Sequence, residues 1–143
     1  MPVIDGQVAL ERKDAAKALE HLQATIPTDL RAIDFVNNIS CLYPIYVRGE
    51  AYLAAGQGTA AATEFQKILD HDGIVWNCWT GALAHLGVAR ANALEAKTLH
   101  GAEADAAHIR AVAAYKDFLA IWKDADDDIS VLKQAKAEYA KLQ

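Results

Sequence analysis

A glycine followed at fixed distances by an alanine and then by a large apolar residue occurs twice in this chain. The alanine lies twelve positions after the glycine, and the large residue lies sixteen positions after it. The two sets are Gly6, Ala18 and Leu22, and Gly49, Ala61 and Phe65. A small residue on one helix allows a second helix to approach, and a large residue fills the space between them. The spacing therefore predicts an internal repeat of packed helix pairs.

Gly87 begins a third copy of this pattern, 38 residues after Gly49. Gly49 itself lies 43 residues after Gly6, because a longer segment separates the first two copies. Repeats of this length are typical of stacked supersecondary units. Since one helix pair alone cannot bury its outer face, the pairs are expected to stack on each other.

Hydrophobic residues recur at helical spacing along most of the chain. They predict helices at about 12–25, from Pro44 to the AAGQG turn, at about 59–71 and 80–96, along a stripe of Ile109, Val112, Tyr115, Leu119 and Trp122, and at 129–142. Residues 28–40 are predicted as a long loop with room for a short helix at 30–36, and the path of the insertion at 95–108 stays open. No segment alternates with a period of two residues, so the predicted fold class is all-α.

A length of 143 residues is typical of one domain with its own core. We divide the chain into three helix-pair units, at about 1–27, 43–72 and 80–123, followed by a capping helix at 129–142. Alanine contributes much of the 53 % hydrophobic content, which favours helices that approach closely. The expected architecture is a right-handed superhelical stack of antiparallel helix pairs, with the last helix covering its apolar end.

Seven residues of the second unit lie at the spacing of the tetratricopeptide repeat, and this unit resembles that family. They are Ile45, Arg48, Gly49, Tyr52, Ala61, Phe65 and Ile68. Three longer segments look like the C-terminal repeat region of large bacterial proteins whose N-terminal half is a serine/threonine protein kinase or a winged-helix regulator. They read YVRGEAYLAAGQG, AHLGVARA and FLAIWKDADDDISVLKQAKAEYAKLQ. The resemblance implies a scaffold or sensor part of a larger signalling protein, with any kinase domain outside this chain.

The resemblance also implies a binding groove, because the first helices of such repeats line a concave surface that takes up a protein or peptide. The groove positions of the family fall on eight residues of the second and third units. They are Tyr43, Tyr46, Glu50, Leu53, Ala84, His85, Val88 and Asn92. Their mixed aromatic and polar character suits an extended partner segment. Two alternatives stay open: a homo-oligomerisation module, and a helical domain that binds a small ligand near His85.

The sequence predicts no catalytic, cofactor-binding or metal-binding residues, and the chain is not expected to be an enzyme. The GQG turn lacks the third glycine of a phosphate-binding loop, and no HRD or DFG segment is present. Asp124, Asp126 and Asp128 match three ligands of a calcium loop, but Ile129 and Ala135 stand where glycine and glutamate are needed. The five histidines show no HxxxH spacing, which argues against zinc.

The overall charge limits the partners, and the pattern of apolar residues limits the location. A net charge of −5 and a pI near 5.4 argue against a nucleic-acid partner or an anionic membrane surface. No apolar run has the length of a membrane span, and the N-terminus lacks the pattern of a signal peptide. A cytoplasmic location is therefore favoured, and an extracytoplasmic one stays open if a transmembrane segment precedes the repeats in the parent protein.

Four conspicuous side chains are predicted to have structural roles. Arg48 and Arg90 lie on successive first helices, where a charge is usually paired with a nearby carboxylate. Trp76 and Trp79 bracket a turn before a helix and are predicted to cover the core. These predictions leave none of the four as a ligand-binding residue.

Cys41 and Cys78 lie near the starts of neighbouring first helices, eight and nine residues before Gly49 and Gly87. Adjacent helices are usually about 8–10 Å apart, whereas the Cα atoms of a disulfide lie within about 7 Å. We therefore expect two free thiols. A disulfide would instead favour an extracytoplasmic location.

Overall fold

The computed structural model describes residues 1–30 and 41–143. These residues form eight α-helices and one short 3₁₀ turn at Ile26–Thr28, and none of them belongs to a β-strand. The α-helices are α1 (Pro2–Glu11), α2 (Ala15–Gln23), α3 (Tyr43–Ala54), α4 (Gly58–Leu69), α5 (Asp72–Val75), α6 (Trp79–Thr98), α7 (Gly101–Ile121) and α8 (Ser130–Ala140). The predicted all-α fold class is confirmed for this part of the chain.

Two of the predicted helices begin where the sequence carries suitable residues. α2 begins after Asp14, whose carboxylate accepts a hydrogen bond from the Lys17 backbone N–H at 3.0 Å. Pro44 lies in the first turn of α3, where its missing N–H has no helical partner to lose. α1 lies within the predicted first unit at about 1–27 and precedes the helix predicted at about 12–25. The four-residue helix α5 was not predicted.

The two glycines of the AAGQG turn have different roles. Gly56 has a φ of +74°, which allows the Gln57 N–H to donate back to the Tyr52 carbonyl at 2.9 Å and close α3. Gly58 begins α4 and faces α6. A Cβ at Gly58 would lie 2.9 Å from the Ala91 carbonyl oxygen, so glycine permits the close approach of α4 to α6.

The predicted contact between a glycine and a large residue exists in both complete copies of the repeat. A Cβ on Gly6 would lie 2.8 Å from Leu22 Cγ, and a Cβ on Gly49 would lie 2.7 Å from Phe65 Cζ. Phe65 also packs against Gly87 of α6, where a Cβ would lie 2.5 Å from its ring. The sixteen-residue spacing therefore corresponds to direct contact between helices, and Phe65 connects the second copy to the third.

The helices pack as neighbours in chain order. Short connections at 12–14, 55–57 and 99–100 join three packed pairs, α1 with α2, α3 with α4, and α6 with α7. Connections this short make the helices of each pair antiparallel neighbours. Three core clusters lie along this series, and consecutive clusters share α3 and then α6. The apolar core is thus continuous from the first pair to α8.

Residues 95–108, whose path the sequence left open, extend both helices of the third pair. α6 continues to Thr98 and α7 begins at Gly101, so two residues connect the helices. α6 ends two residues after the end predicted for it near residue 96. α7 begins eight residues before Ile109, the first residue of the predicted stripe. The segment is rich in alanine, a strong helix former, and Ala107 and Ala111 are buried where α7 packs on α6.

The predicted apolar stripe on α7 is wrong at its first residue. Ile109 is 68 % exposed. Tyr115 of the stripe is buried, as predicted, together with four residues outside the stripe, Ala107, Ala111, Ala114 and Phe118. Alanine allows α6 to approach closely, so a stripe drawn through the large residues alone misplaces the buried face.

α8 covers α7 as the sequence predicts. Its apolar stripe packs in one cluster with Tyr115 and Trp122. The members of the stripe are Leu132, Ala135, Tyr139 and Leu142. The last helix therefore closes the apolar end of the third pair.

Residues 31–40 hold most of the loop predicted at 28–40 and of the short helix considered at 30–36. Both predictions fall, apart from their first residues, outside the part of the chain that the structure describes.

Candidate binding site

Arg48 of α3 is completely buried at the centre of a polar network. Its Nε and Nη2 atoms donate to Glu64 Oε2 on α4 at 3.0 and 2.7 Å. Its Nη1 atom donates to Thr25 Oγ1 at 3.0 Å, and the guanidinium also pairs with Asp29. Lys67 adds an ion pair to Glu64 at 2.7 Å. The predicted structural ion pairing of Arg48 is confirmed.

Arg90 of α6 makes a similar link to the C-terminal helix. Its Nε and Nη2 atoms donate to the two carboxylate oxygens of Glu138 on α8 at 2.9 and 3.0 Å, in the two-pronged geometry typical of arginine. The Tyr115 hydroxyl of α7 donates to the same carboxylate at 2.9 Å. The predicted ion pairing of Arg90 is confirmed, and three helices meet at Glu138.

Glu50 of α3, a predicted groove residue, lies beside this network. Burial raises the pKa of the Glu50 carboxyl, and the Arg90 guanidinium and the Tyr46 hydroxyl oppose this effect only in part. Burial also raises the pKa of Tyr46, and the Glu50 carboxylate adds to that shift. Glu50 is therefore a poorly solvated acid, and a positively charged neighbour stabilises its ionised form.

Three aromatic rings form an exposed surface between the starts of α3 and α6. We call Tyr43, Tyr46 and Trp79 the aromatic face. The Trp79 ring lies edge-on to Tyr46 and to Tyr43, with centroids 5.1 and 5.8 Å apart. Tyr46 packs in turn against Phe65 at 5.6 Å, which fixes the face to the core. Trp79 is 49 % exposed and Tyr43 is 37 % exposed, so the outer rings are accessible.

The groove residues predicted on the third unit lie elsewhere. Ala84 is completely buried and has no surface to offer a partner. His85 lines a cavity between α4, α5, α6 and the end of α7. Val88 and Asn92 line a second cavity between α4, α6 and α7, where Asn92 Oδ1 accepts a hydrogen bond from Arg110 Nε at 2.7 Å. These four positions do not join the aromatic face.

The structure thus separates the eight predicted groove positions. It brings Tyr43 and Tyr46 together and places Glu50 beside them, whereas Leu53 packs against the core cluster around Phe65. Sequence spacing could not show this division, because the rotation of α6 about its axis depends on the packing of Phe65 against Gly87.

The two tryptophans differ in their contacts, although both were predicted to cover the core. Trp79 does so in part, through its contact with Tyr46. Trp76 is 78 % exposed, and for this residue the prediction is wrong. Trp76 follows the short helix α5 with a φ of 53°, which ends the helix and leaves the ring outside the core. Sequence reasoning also missed Trp79 as the partner of Tyr43.

Cys41 and Cys78 form a disulfide with a Cα–Cα distance of 5.5 Å, so the expectation of two free thiols is wrong. That expectation applied the usual separation of packed helices to two residues near the helix starts. Cys41 instead precedes α3, and Cys78 precedes the first residue of α6, so neither is held at the usual separation of helix axes. The Thr80 hydroxyl donates to the Cys41 carbonyl at 2.5 Å and also draws the two segments together.

In the described ranges, no group of three or more His, Cys, Asp or Glu side chains is arranged to hold a metal ion. No helix of residues 1–30 and 41–143 has both the length and the apolar character needed to cross a membrane.

No protein-family model, curated protein or solved structure matches this chain. The resemblance to tetratricopeptide repeats stays a prediction from the sequence pattern.

Proposed function

We propose that this chain is a non-catalytic module, built like an array of tetratricopeptide repeats, that binds an extended segment of another protein at the aromatic face. The observation that carries this proposal is the exposure of Tyr43 and Trp79 on a rigid base of Tyr46 and Phe65. Aromatic side chains held in place contribute large contact area at little loss of conformational freedom, and such residues dominate binding energy at interfaces.

The contacts of Phe65 support the repeat architecture. Its ring packs against Gly49 of its own helix pair and against Gly87 of the next pair, which is how stacked pairs share one core. On this proposal the stack is a right-handed superhelix, and the chain is the scaffold or sensor part of a larger signalling protein.

The charges near the aromatic face favour a particular partner segment. Glu50 and Glu138 carry two carboxylates, whereas Arg90 supplies one positive charge between them. A basic side chain from a partner would relieve the unfavourable environment of Glu50. We therefore propose a segment with an apolar anchor for Tyr43 and Trp79 next to a lysine or arginine.

The disulfide bears on the location. Disulfides persist in oxidising compartments and are rare in the cytosol. On the proposed function, the Cys41–Cys78 bridge favours an extracytoplasmic position of the module, in place of the cytoplasmic one that the sequence favoured.

A peptide-display screen followed by titration tests this function. We expect binders with dissociation constants in the micromolar range, or about −8 kcal/mol, because ordering an extended peptide offsets part of the contact energy. Trp79→Ala and Tyr43→Ala should weaken binding about tenfold or more. Trp76→Ala is the matched control, since it removes a more exposed indole that is not one of the three rings of the aromatic face. Tyr46 is a poor test position because it also packs on Phe65.

Loss of binding in Trp76→Ala, with binding intact in Trp79→Ala, would refute this site. A second candidate function is self-association, which the exposure of Ile4 and Val8, one turn apart on α1, favours. Light scattering distinguishes the two. A dimer that dissociates in Ile4→Ser, combined with a screen that yields no peptide, would support self-association over partner binding.

A further inference from the structure

A cavity of about 490 Å³ shares no lining residue with the aromatic face. Its walls come from α4, α5, α6 and the last residue of α7. Ile68, Leu69, Val75 and Ile121 supply apolar surface, and Trp76 and His85 are also part of the lining. The volume lies within the range of about 300–1,000 Å³ that is usual for small-molecule sites.

Trp76 is held beside this cavity in an unusual backbone conformation. Its φ of 53° falls in the left-handed region, which bulky residues rarely adopt. The Trp76 N–H donates to the Asp72 carbonyl at 2.7 Å, and the disulfide at Cys78 fixes the chain two residues later. A strained position that keeps a large ring in solvent is the kind of outlier found at ligand sites. The indole is therefore available to cover a bound molecule.

His85 supplies a polar group to the cavity. Its side chain is half-buried and forms part of the lining. Burial lowers the pKa of His85, while the Asp117 carboxylate opposes this shift. The neutral ring can both donate and accept one hydrogen bond, and a ligand can satisfy it.

The charges around the cavity are negative. Asp72 lines it, and Asp117 of α7 interacts with His85. Among the described residues that form its lining there is no lysine or arginine. An anionic ligand would meet carboxylates without a compensating cation, whereas a cation would be attracted by Asp72 and by the face of the Trp76 indole.

We infer that this cavity binds a small organic cation with an apolar body, such as an aryl- or alkylammonium compound. The apolar part packs against Ile68, Val75 and Ile121, and the ammonium group lies near Trp76 and Asp72. This site uses none of the three residues of the aromatic face, so the inference does not rest on the proposed function.

The test compares three probes of similar shape: 2-phenylethylammonium, 2-phenylethanol and 3-phenylpropanoate. Two-dimensional NMR follows the Trp76 indole N–H and the His85 ring in the full chain during titration. We expect saturable shifts at both residues, with the alcohol about tenfold weaker than the ammonium compound and the carboxylate weaker still. Asp72→Asn, an exposed change that retains the shape of the side chain, should remove most of the preference for the cation.

Ala82→Phe fills the cavity from α6 and should abolish binding, and helical circular dichroism checks that the variant folds. Trp79→Ala is the control and should leave the affinity for 2-phenylethylammonium unchanged, whereas it should weaken the peptides of the proposed function. Equal affinity for all three probes, stronger binding of the carboxylate, or an unaltered preference in Asp72→Asn would each overturn the inference. So would binding that survives in a folded Ala82→Phe variant.

Discussion

The ring of Phe65 on α4 lies so close to Gly87 of α6 that a Cβ on this glycine would be 2.5 Å from it. Side chains do not pack at such distances, so any larger residue at 87 must displace a fully buried ring. The contact joins two helix pairs, which makes it a sensitive test of how the pairs are held together.

Gly87→Ala should lower the free energy of unfolding by about 1–3 kcal/mol through overpacking, and Gly49→Leu by at least as much. Urea titration followed by circular dichroism measures the change. Gly73→Ala is the matched control, because it lies in a helix and no atom lies within 4 Å of its added Cβ. The Gly73→Ala variant should be as stable as the wild type, or more stable by up to about 1 kcal/mol. Equal effects at 73 and 87 would contradict the packing described here.

Arg48→Ala should destabilise the chain by about 3–5 kcal/mol, because it removes the buried guanidinium from Asp29 and from Glu64, which keeps only its ion pair with Lys67. Lys136→Ala is a suitable comparison, since the Lys136–Asp127 pair at 2.7 Å joins two exposed side chains and its loss should change the stability far less. Both values come from urea unfolding. A double variant, Arg48→Met with Glu64→Leu, should recover part of the loss, and no recovery would argue against an electrostatic cause.

The oxidised protein should contain no free thiol on titration in denaturant, since Cys41 and Cys78 are paired. The bridge closes a separation of 37 residues, for which chain entropy predicts about 4 kcal/mol of stabilisation. Cys41→Ser with Cys78→Ser should therefore melt at a lower temperature, and a dithiol reductant should lower the melting temperature of the wild type only. Two reactive thiols in the oxidised protein would show that the bridge does not form.

Glu50→Gln should stabilise the protein more at neutral than at acidic pH. Burial holds the pKa of Glu50 above its usual value of 4.5, so the folded state disfavours the ionised form. The stability that the protonated form provides is complete below the unfolded pKa and is lost as the pH rises through the folded pKa. Unfolding curves of both proteins at about pH 4 and pH 7 measure the difference. A variant whose advantage is the same at both pH values would contradict this assignment.

Removal of residues 129–143 should expose the apolar surface of α7 and reduce solubility. The shortened chain also loses the Arg90–Glu138 pair. It should bind more of a hydrophobic dye than the full chain does. Leu132→Ala is a milder variant that should cost about 2–5 kcal/mol, because the leucine is buried against α7. Val131→Ala, at a partly buried position, is its control. A shortened chain as soluble and stable as the full one would show that α8 is dispensable.

The sequence by itself determined the all-helical fold and the contacts between paired helices. Gly6 with Leu22 and Gly49 with Phe65 meet as their spacing predicts, and α8 covers α7. These features follow from local rules, since helical periodicity defines which residues share a face and a glycine marks where a neighbour approaches.

The tertiary structure alone decided which surface is accessible. Spacing gave all the predicted groove positions the same status, but Ala84 is buried and His85 lines a cavity. Trp79, which was not one of these positions, joins Tyr43. Cys41 and Cys78 form a bridge because their segments meet outside the helices. Each outcome depends on how α6 is rotated and placed against α3 and α4. That placement is set by the shape of the complete core around Phe65. It therefore cannot be predicted from any single segment of the sequence.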